Sequence, residues 1–369
     1  MKSECFSWIT QILNKIRGNN DDYFAYEDET SILLKKRPLL LQPPKPQPRR
    51  RRPPILRYFC PKNLRLYIID GDSEKECKLP GGGFKNATFV ASCNGLVLLS
   101  STHRDRIQYG VFNPLSDEAI TIIQPPAGIP TPQPCAFFFH PGAKEHRILA
   151  VGGKRDPDLG YEYQIYSFQT RRWRPIANPY FRFRPWKSEL DSVDGSPAAA
   201  NGALHWYTGV ITVFDVMSEE LTVKVLPFVD YLLKLVYFNG YLVTRGEEEE
   251  LCFCVVGRRE AAVEVWVLED YGKWRWCRKW KIDLSWDASK YPVMEPRCVT
   301  ASYHVVRVVG FEKDEVVLFW RHRGLFVYNL NFRSVERVWM KKQEMSKDYC
   351  RQIYYDHYCG FAPYNVARD

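Results

Sequence analysis

A short unit recurs six times along this chain: an aliphatic residue, an aromatic one, then a polar turn and a second strand-like run. The copies are Leu66-Tyr67-Ile68-Ile69-Asp70-Gly71, Val111-Phe112-Asn113-Pro114-Leu115-Ser116, Ile165-Tyr166-Ser167-Phe168-Gln169-Thr170, Val213-Phe214-Asp215-Val216-Met217-Ser218, Val265-Trp266-Val267-Leu268-Glu269-Asp270 and Val327-Tyr328-Asn329-Leu330-Asn331-Phe332. Their aromatics stand 45, 54, 48, 52 and 62 residues apart. A four-stranded antiparallel sheet with short strands and ordinary turns uses roughly 40–50 residues. Each copy therefore fits one radial sheet of a β-propeller, and six copies predict six blades. A twisted β-sandwich is the alternative, against which the regular spacing counts.

Further strands are predicted between these hairpins. Three follow Asn-Gly pairs, which tolerate positive φ in tight turns: those after Asn94-Gly95, Asn201-Gly202 and Asn239-Gly240 are expected to be inner strands of the second, fourth and fifth blades. The first copy has little β-like sequence before it, so the chain end, 349–355 and 357–361, is expected to pair with residues 64–80. Joining head to tail leaves no long exposed sheet edge.

The first sixty residues read differently. Phe6, Ile9, Leu13 and Ile16 lie at helical spacing, which predicts one short amphipathic helix ended by Gly18-Asn19-Asn20. Between Pro38 and Pro54 seven of seventeen residues are proline, a composition that favours extended, solvated chain. Residues 31–60 carry nine Lys or Arg and no acid, and 1–30 carry a net −3, so of the formal +9 only +3 belongs to 61–369. The expected organisation is a helix and basic proline-rich linker over 1–60 and a propeller over 61–369. The clusters Lys36-Arg37 and Arg49-Arg50-Arg51-Arg52 have the spacing of a bipartite nuclear-import signal, with a solvated basic tail as the competing reading. Specific nucleic-acid binding is not expected, because aromatic stacking residues are not interleaved with these arginines.

Eleven scattered cysteines include no CxxC pair, so neither a zinc knuckle nor a dithiol centre is signalled. No apolar run approaches the ~20 residues that cross a bilayer as a helix. The expectation is a soluble protein of the nucleus or cytoplasm, without membrane contact.

Two blocks carry a family resemblance. Ser92-Cys93-Asn94-Gly95-Leu96-Val97, followed by Val111-Phe112-Asn113-Pro114-Leu115-Ser116, is the first. Asn201-Gly202-Ala203-Leu204-His205-Trp206, then Ile211-Thr212-Val213-Phe214-Asp215 and Leu226-Pro227, is the second. In this order they resemble the plant F-box-associated domain over roughly 61–361. The resemblance implies a propeller that holds a protein target while an N-terminal F-box recruits the Skp adaptor and cullin of a ubiquitin ligase. The opening Leu-Pro and the Ile-Leu-x-Arg-Leu-Pro helix of an F-box are not found in 1–60; Gln11-Ile12-Leu13-Asn14-Lys15-Ile16 is a faint echo, so the F-box reads as degenerate or missing.

No nucleophile elbow, phosphate loop or metal-spaced cluster is present, and the chain is read as a non-enzyme without a cofactor. Gly81-Gly82-Gly83-Phe84-Lys85 reads as a turn, Cys252 and Cys254 as buried on one strand face, and His205 as a packed core histidine. Target recognition is assigned to the long connections 124–134, 178–196 and 284–297. Arg and aromatic residues dominate interface energy, so Phe181, Arg182, Arg184, Trp186, Trp286 and Tyr291 are the predicted contacts. Inward packing of Tyr180, Phe183 and Trp186 is the competing expectation. Two other functions remain open: a scaffold with no ligase link, and an enzyme working in the central channel.

Overall fold

A computed structural model describes residues within 56–363, apart from the segments 61–64, 78–87, 114–118, 126–132, 183–196, 233–237, 258–261, 284–305 and 340–360 and several gaps of one to three residues. The chain divides into two units, Met1–Arg51 and Arg52–Asp369, and every described residue belongs to the second. The predicted N-terminal helix and most of the linker lie outside the described residues.

In chain order the strands are β1 (Leu56–Cys60), β2 (Arg65–Asp70), β3 (Ser73–Cys77); β4 (Thr88–Cys93), β5 (Leu96–His103), β6 (Arg106–Phe112), β7 (Ala119–Ile123); β8 (Gln133–His140), β9 (Glu145–Val151), β10 (Tyr161–Ser167), β11 (Arg172–Phe181); β12 (Ala198–Ala200), β13 (Ala203–Tyr207), β14 (Ile211–Asp215), β15 (Leu221–Lys224); β16 (Phe238–Arg245), β17 (Glu250–Gly257), β18 (Ala262–Asp270), β19 (Arg275–Asp283); β20 (Val306–Glu312), β21 (Glu315–Trp320), β22 (Gly324–Asn329), β23 (Ser334–Trp339); and β24 (Phe361–Pro363). Each group of four consecutive strands from β4 to β23 forms one antiparallel sheet in up-and-down order. We call these blades I to V. The first three strands form a composite sheet with the last, in the order β24-β1-β2-β3.

Blades pack through strands that are buried on both faces and mostly apolar, with a few polar groups such as Glu264, which accepts from the Tyr231 hydroxyl. In β18 seven consecutive residues, Ala262 to Leu268, are buried. A sheet held between two neighbours has no solvent face, so its central strands read as continuous apolar runs, whereas the outer strand β15 alternates half-buried and exposed. Four apolar cores result. Leu98, Tyr109 and Val111 meet Phe137, Ile148 and Tyr166 between blades I and II. Phe138, Leu149 and Tyr163 meet Leu204, Trp206 and Phe214 between II and III. Ile211 and Val213 meet Phe253, Val255 and Trp266 between III and IV, and Cys252, Cys254 and Val265 meet Val308, Leu318 and Phe326 between IV and V. Each fully buried large side chain contributes about 1.5–3 kcal/mol.

The six-bladed expectation is corrected on this ground. The structure shows five blades, not six, joined by described apolar cores, and no helix element occurs among the described residues. The composite sheet is held by backbone pairing of Leu56, Arg57 and Tyr58 with Pro363, Ala362 and Phe361. Its strand β1 begins inside the stretch read from sequence as linker. The tail strand pairs with β1, not with 64–80.

All six repeat aromatics fall on the third strand of their sheets, in β2, β6, β10, β14, β18 and β22. In blades II to V the turn after that strand follows one plan. A polar residue at its start accepts backbone N–H groups: Ser167 Oγ from Thr170, Asp215 Oδ1 from Met217 and Ser218, Asp270 Oδ1 from Lys273, Asn329 Oδ1 from Asn331 and Phe332. Four residues on, the chain turns left-handed at Arg171, Glu219, Trp274 and Arg333, with φ from 49° to 58°. Asp, Asn and Ser favour such turns because the side chain replaces a backbone acceptor.

Two of the Asn-Gly pairs turn as expected: Asn94 (φ 45°) and Asn201 (φ 50°) lie between first and second strands, so β5 and β13 are the second strands of their sheets. Asn239-Gly240 lies inside β16. A Cβ on Gly240 would stand 2.5 Å from Phe253 Cζ and 2.8 Å from Tyr207 Cε1, so close approach of two rings explains this glycine.

Candidate recognition surface

Up-and-down order puts the first-to-second and third-to-fourth strand turns at one end of every blade. The second-to-third loops and the crossings between blades lie at the other. Among the described residues the first end carries tight turns such as 141–144, 168–171 and 271–274, while the strands joined by the long connections 182–197, 225–237 and 284–305 meet them at the second.

Charged and polar ties cross between blades. Arg147 Nε donates to Glu145 Oε1 at 2.8 Å, while its Nη1 donates to Glu219 in the turn between β14 and β15. Arg174 grips the same Glu219 carboxylate with two nitrogens, at 2.6 and 2.7 Å. Burial alone would raise the Glu145 pKa, but the Gln169 N–H, the Ser167 hydroxyl and Arg147 outweigh it and hold the carboxyl below its ordinary range. Arg245 joins Glu250 of its own blade to Asp314 of the next. Trp173 Nε1 donates to Gln124 O at 2.7 Å, and Trp274 Nε1 to Val225 O at 2.9 Å.

Inside the cores the ionisable groups are displaced by burial. His205 is fully buried between Ala198 O (3.2 Å from Nδ1) and the Tyr271 hydroxyl (3.0 Å from Nε2), and burial lowers its pKa to about 4. The ring is neutral, and it is a packed core histidine, as the sequence indicated. Cys252 and Cys254 are both buried on one face of β17; burial pushes Cys252 to about 12 and Cys254 well above its ordinary value, so both stay protonated. Burial also takes Cys93 to about 11. These thiols are poor nucleophiles. Among the described residues no three His, Cys, Asp or Glu side chains gather where they could hold a metal ion.

At the loop end, blade II presents the best-defined feature. Asp156 Oδ1 accepts from Asp158 N and Leu159 N, both at 2.9 Å, and Asp156 pairs with Gly160 through both backbone groups. Those two N–H groups hold the Asp156 carboxyl below its ordinary pKa. Gly160, at φ +101°, lies so close to the neighbouring strand that a Cβ would stand 2.5 Å from Phe181 O and 2.8 Å from Arg182 Cα. The tight loop and the end of β11 are therefore fixed against each other, leaving Leu159 55% and Tyr180 39% exposed, with Arg182 also exposed.

Of the contacts predicted from sequence, Phe181 and Arg182 are described. Phe181 is half-buried, its ring edge-on to buried Tyr163 at 6.3 Å, while Arg182 faces solvent. Tyr180, for which inward packing was the competing expectation, is exposed. Because β11 runs through Phe181, neighbouring side chains take opposite faces. Leu159 was missed; its signal is Asp156-Pro157-Asp158-Leu159-Gly160, a tight-turn sequence placing an apolar residue at its tip. Arg184, Trp186, Trp286, Tyr291 and the import candidates Lys36, Arg37, Arg49, Arg50, Arg51 and Arg52 lie outside the described residues.

Over 226 residues the chain is 24% identical to an "F-box/LRR-repeat protein" of Arabidopsis thaliana, covering 56% of this chain and 50% of that protein; it spans about half of that relative's length. Among solved structures it is similar to a protein from Lactobacillus plantarum (TM-score 0.42, 10% identity, 74% and 77% of the two chains). It is also similar to the β-propeller domain of Cps50 (Swd1) from Myceliophteria thermophila (TM-score 0.41, 12% identity, 79% and 88%). The model of the "F-box associated beta propeller domain" matches residues 67–361, most of the chain, and this protein belongs to that family.

Proposed function

We propose that the chain is a non-catalytic protein-recognition module serving as the substrate receptor of an SCF-type ubiquitin ligase, with the target held at the loop end of the propeller. Membership of the F-box associated propeller family carries this reading, and the Arabidopsis relative is by name an F-box protein. The division of the blades supports it. Tight, cross-braced turns make one end rigid, while long connections and exposed Leu159, Tyr180 and Arg182 give the other end side chains suited to interfaces. Catalysis in the central channel would call on ionisable groups tuned toward reactivity; Cys93, Cys252, Cys254 and His205 are displaced by burial in the unreactive direction.

The test is affinity purification of the tagged full chain from cells, with mass spectrometry of what co-purifies. Recovery of the Skp adaptor and cullin together with a target is the expected result. Recovery of a target without adaptor or cullin would replace the ligase reading with that of a propeller scaffold. In the same cells, a fluorescent fusion is expected in the nucleus, and replacing Arg49, Arg50, Arg51 and Arg52 by Ala is expected to move it to the cytoplasm.

A further inference from the structure

We propose that Asp158, Leu159, Tyr180 and Arg182 form a ridge that seats an extended peptide segment of the target, in which an apolar side chain stands between an acidic and a basic residue. This deepens the recognition function proposed above and rests on it.

Three observations carry the inference. The ridge is pre-organised: Asp156 fixes the loop through two backbone N–H groups, and Gly160 packs against the backbone of Phe181 and Arg182. Little ordering entropy is then lost when a partner arrives. Its apolar part is exposed, at 55% for Leu159 and 39% for Tyr180. Its charged groups are unengaged: among the described residues neither the Asp158 carboxylate nor the Arg182 guanidinium has a hydrogen bond or ion pair, although the guanidinium groups of Arg147, Arg174 and Arg245 elsewhere in the blades are all paired.

Charge decides the class of partner. A single arginine beside the carboxylates of Asp156 and Asp158 is a poor seat for a phosphate backbone, which needs several cations and is repelled by acids. A peptide meets both signs at once: a carboxylate on Arg182, an ammonium or guanidinium on Asp158, and an apolar side chain over Leu159 and Tyr180. Complementary order of this kind sets register as well as affinity.

The experiment selects phage-displayed random heptapeptides on the immobilised full chain and sequences the survivors. Enrichment of an apolar residue flanked by Asp or Glu on one side and Lys or Arg on the other is expected. The charge-swapped variant Asp158→Lys with Arg182→Glu should enrich the reverse order, and Arg182→Glu alone should weaken the best native peptide about tenfold in fluorescence polarisation. Unchanged thermal melting of both variants shows that the fold persists. Peptides without a charge order, an order indifferent to the swap, or no enrichment would each overturn the proposal. So would displacement of the peptide by a single-stranded oligonucleotide whose own binding is lost in Arg182→Glu. Adaptor co-purification does not depend on this ridge, so failure here leaves the receptor function separately testable.

Discussion

The indole N–H of Trp274 donates to the carbonyl of Val225 at 2.9 Å, tying the outer-strand region of blade IV to that of blade III across 49 residues of sequence. Trp173 makes the same kind of tie to Gln124, again across 49 residues and at 2.7 Å. A repeated spacing with a repeated donor means that one device couples successive blades. Trp274 also stands edge-on to Trp276 and Tyr271, with the Lys224 ammonium 5.8 Å from its ring. Trp274→Phe keeps the ring and loses the N–H, at an expected cost of about 1 kcal/mol. Trp274→Ala also loses the packing, for about 3 kcal/mol. Urea midpoints of the two variants separate the contributions.

Glu219 offers a second test of coupling. Its carboxylate is the shared acceptor of Arg147 and Arg174, and it sits in a left-handed turn at φ 58°. Glu219→Gln removes one of the two carboxylates paired with Arg147, leaving Glu145, and takes the counter-charge from Arg174, which is expected to cost about 2 kcal/mol. Glu219→Gly relaxes the turn yet loses the same charge. If both variants are destabilised, with Glu219→Gly recovering only a fraction, the carboxylate matters more than the backbone; equal stability of Glu219→Gly and the native chain would reverse that order.

Acid stability follows from His205 and Glu145, with opposite protonation chemistry and the same sign. The His205 pKa is about 4 in the fold, below its ordinary 6.5, so the unfolded chain takes up the proton first. Its contribution is full above pH 6.5 and is lost as pH falls toward 4, to about 3 kcal/mol in all. Glu145 is depressed below its ordinary 4.5, so its contribution is present above that value and is lost as pH falls through its lower folded pKa. His205→Gln should flatten the stability curve between pH 6.5 and 4 and leave the steeper loss below it, which Glu145→Gln should blunt. Denaturant titrations at stepped pH resolve the two windows.

Much of this was legible in the sequence because the relevant physics is local. The repeat aromatics mark third strands, since a strand buried on both faces is mostly apolar, and the polar residue after it starts a turn with its own side chain. Cys252 and Cys254 were read from strand alternation, and His205 from its place beside Trp206 in a strand. What escaped depends on neighbours distant in sequence. Asn239-Gly240 has the letters of a turn, but its glycine answers to Phe253 and Tyr207. Pro175 and Pro179 disguised β11, an outer strand whose free edge tolerates proline. With the strand hidden, the opposite facing of exposed Tyr180 and half-buried Phe181 could not be read.

Two glycines separate core packing from surface presentation. Gly240→Ala pushes a methyl into the rings of Phe253 and Tyr207, and overpacking of this kind costs about 1–3 kcal/mol. Gly160→Ala meets backbone at 2.5 Å at a φ of +101° that alanine disfavours. The loop carrying Leu159 must then move, while the apolar cores stay untouched. The expected pattern is a lowered melting temperature for Gly240→Ala with target binding retained, and the converse for Gly160→Ala. A common loss of both properties in Gly160→Ala would mean that the loop is part of the folding core and not a presented edge.

The place where the N-terminal segment can be removed is set by β1. Leu56 to Cys60 pair with Ile69 to Arg65 on one side, and Leu56 to Tyr58 with Pro363 to Phe361 on the other. Deleting residues 1–60 takes away a strand hydrogen-bonded along both edges, stranding β24 and exposing the edge of β2, the kind of unpaired edge that invites aggregation. Deleting 1–51 leaves every one of these pairs in place. The shorter deletion is therefore expected to melt like the full chain and stay monodisperse by light scattering, while the longer one aggregates or melts earlier. Adaptor binding should be compared only between the full chain and the 1–51 deletion, because loss of binding in the longer deletion would report a broken sheet. Equal melting of the two deletions would show that β1 contributes nothing to holding the ends of the chain together.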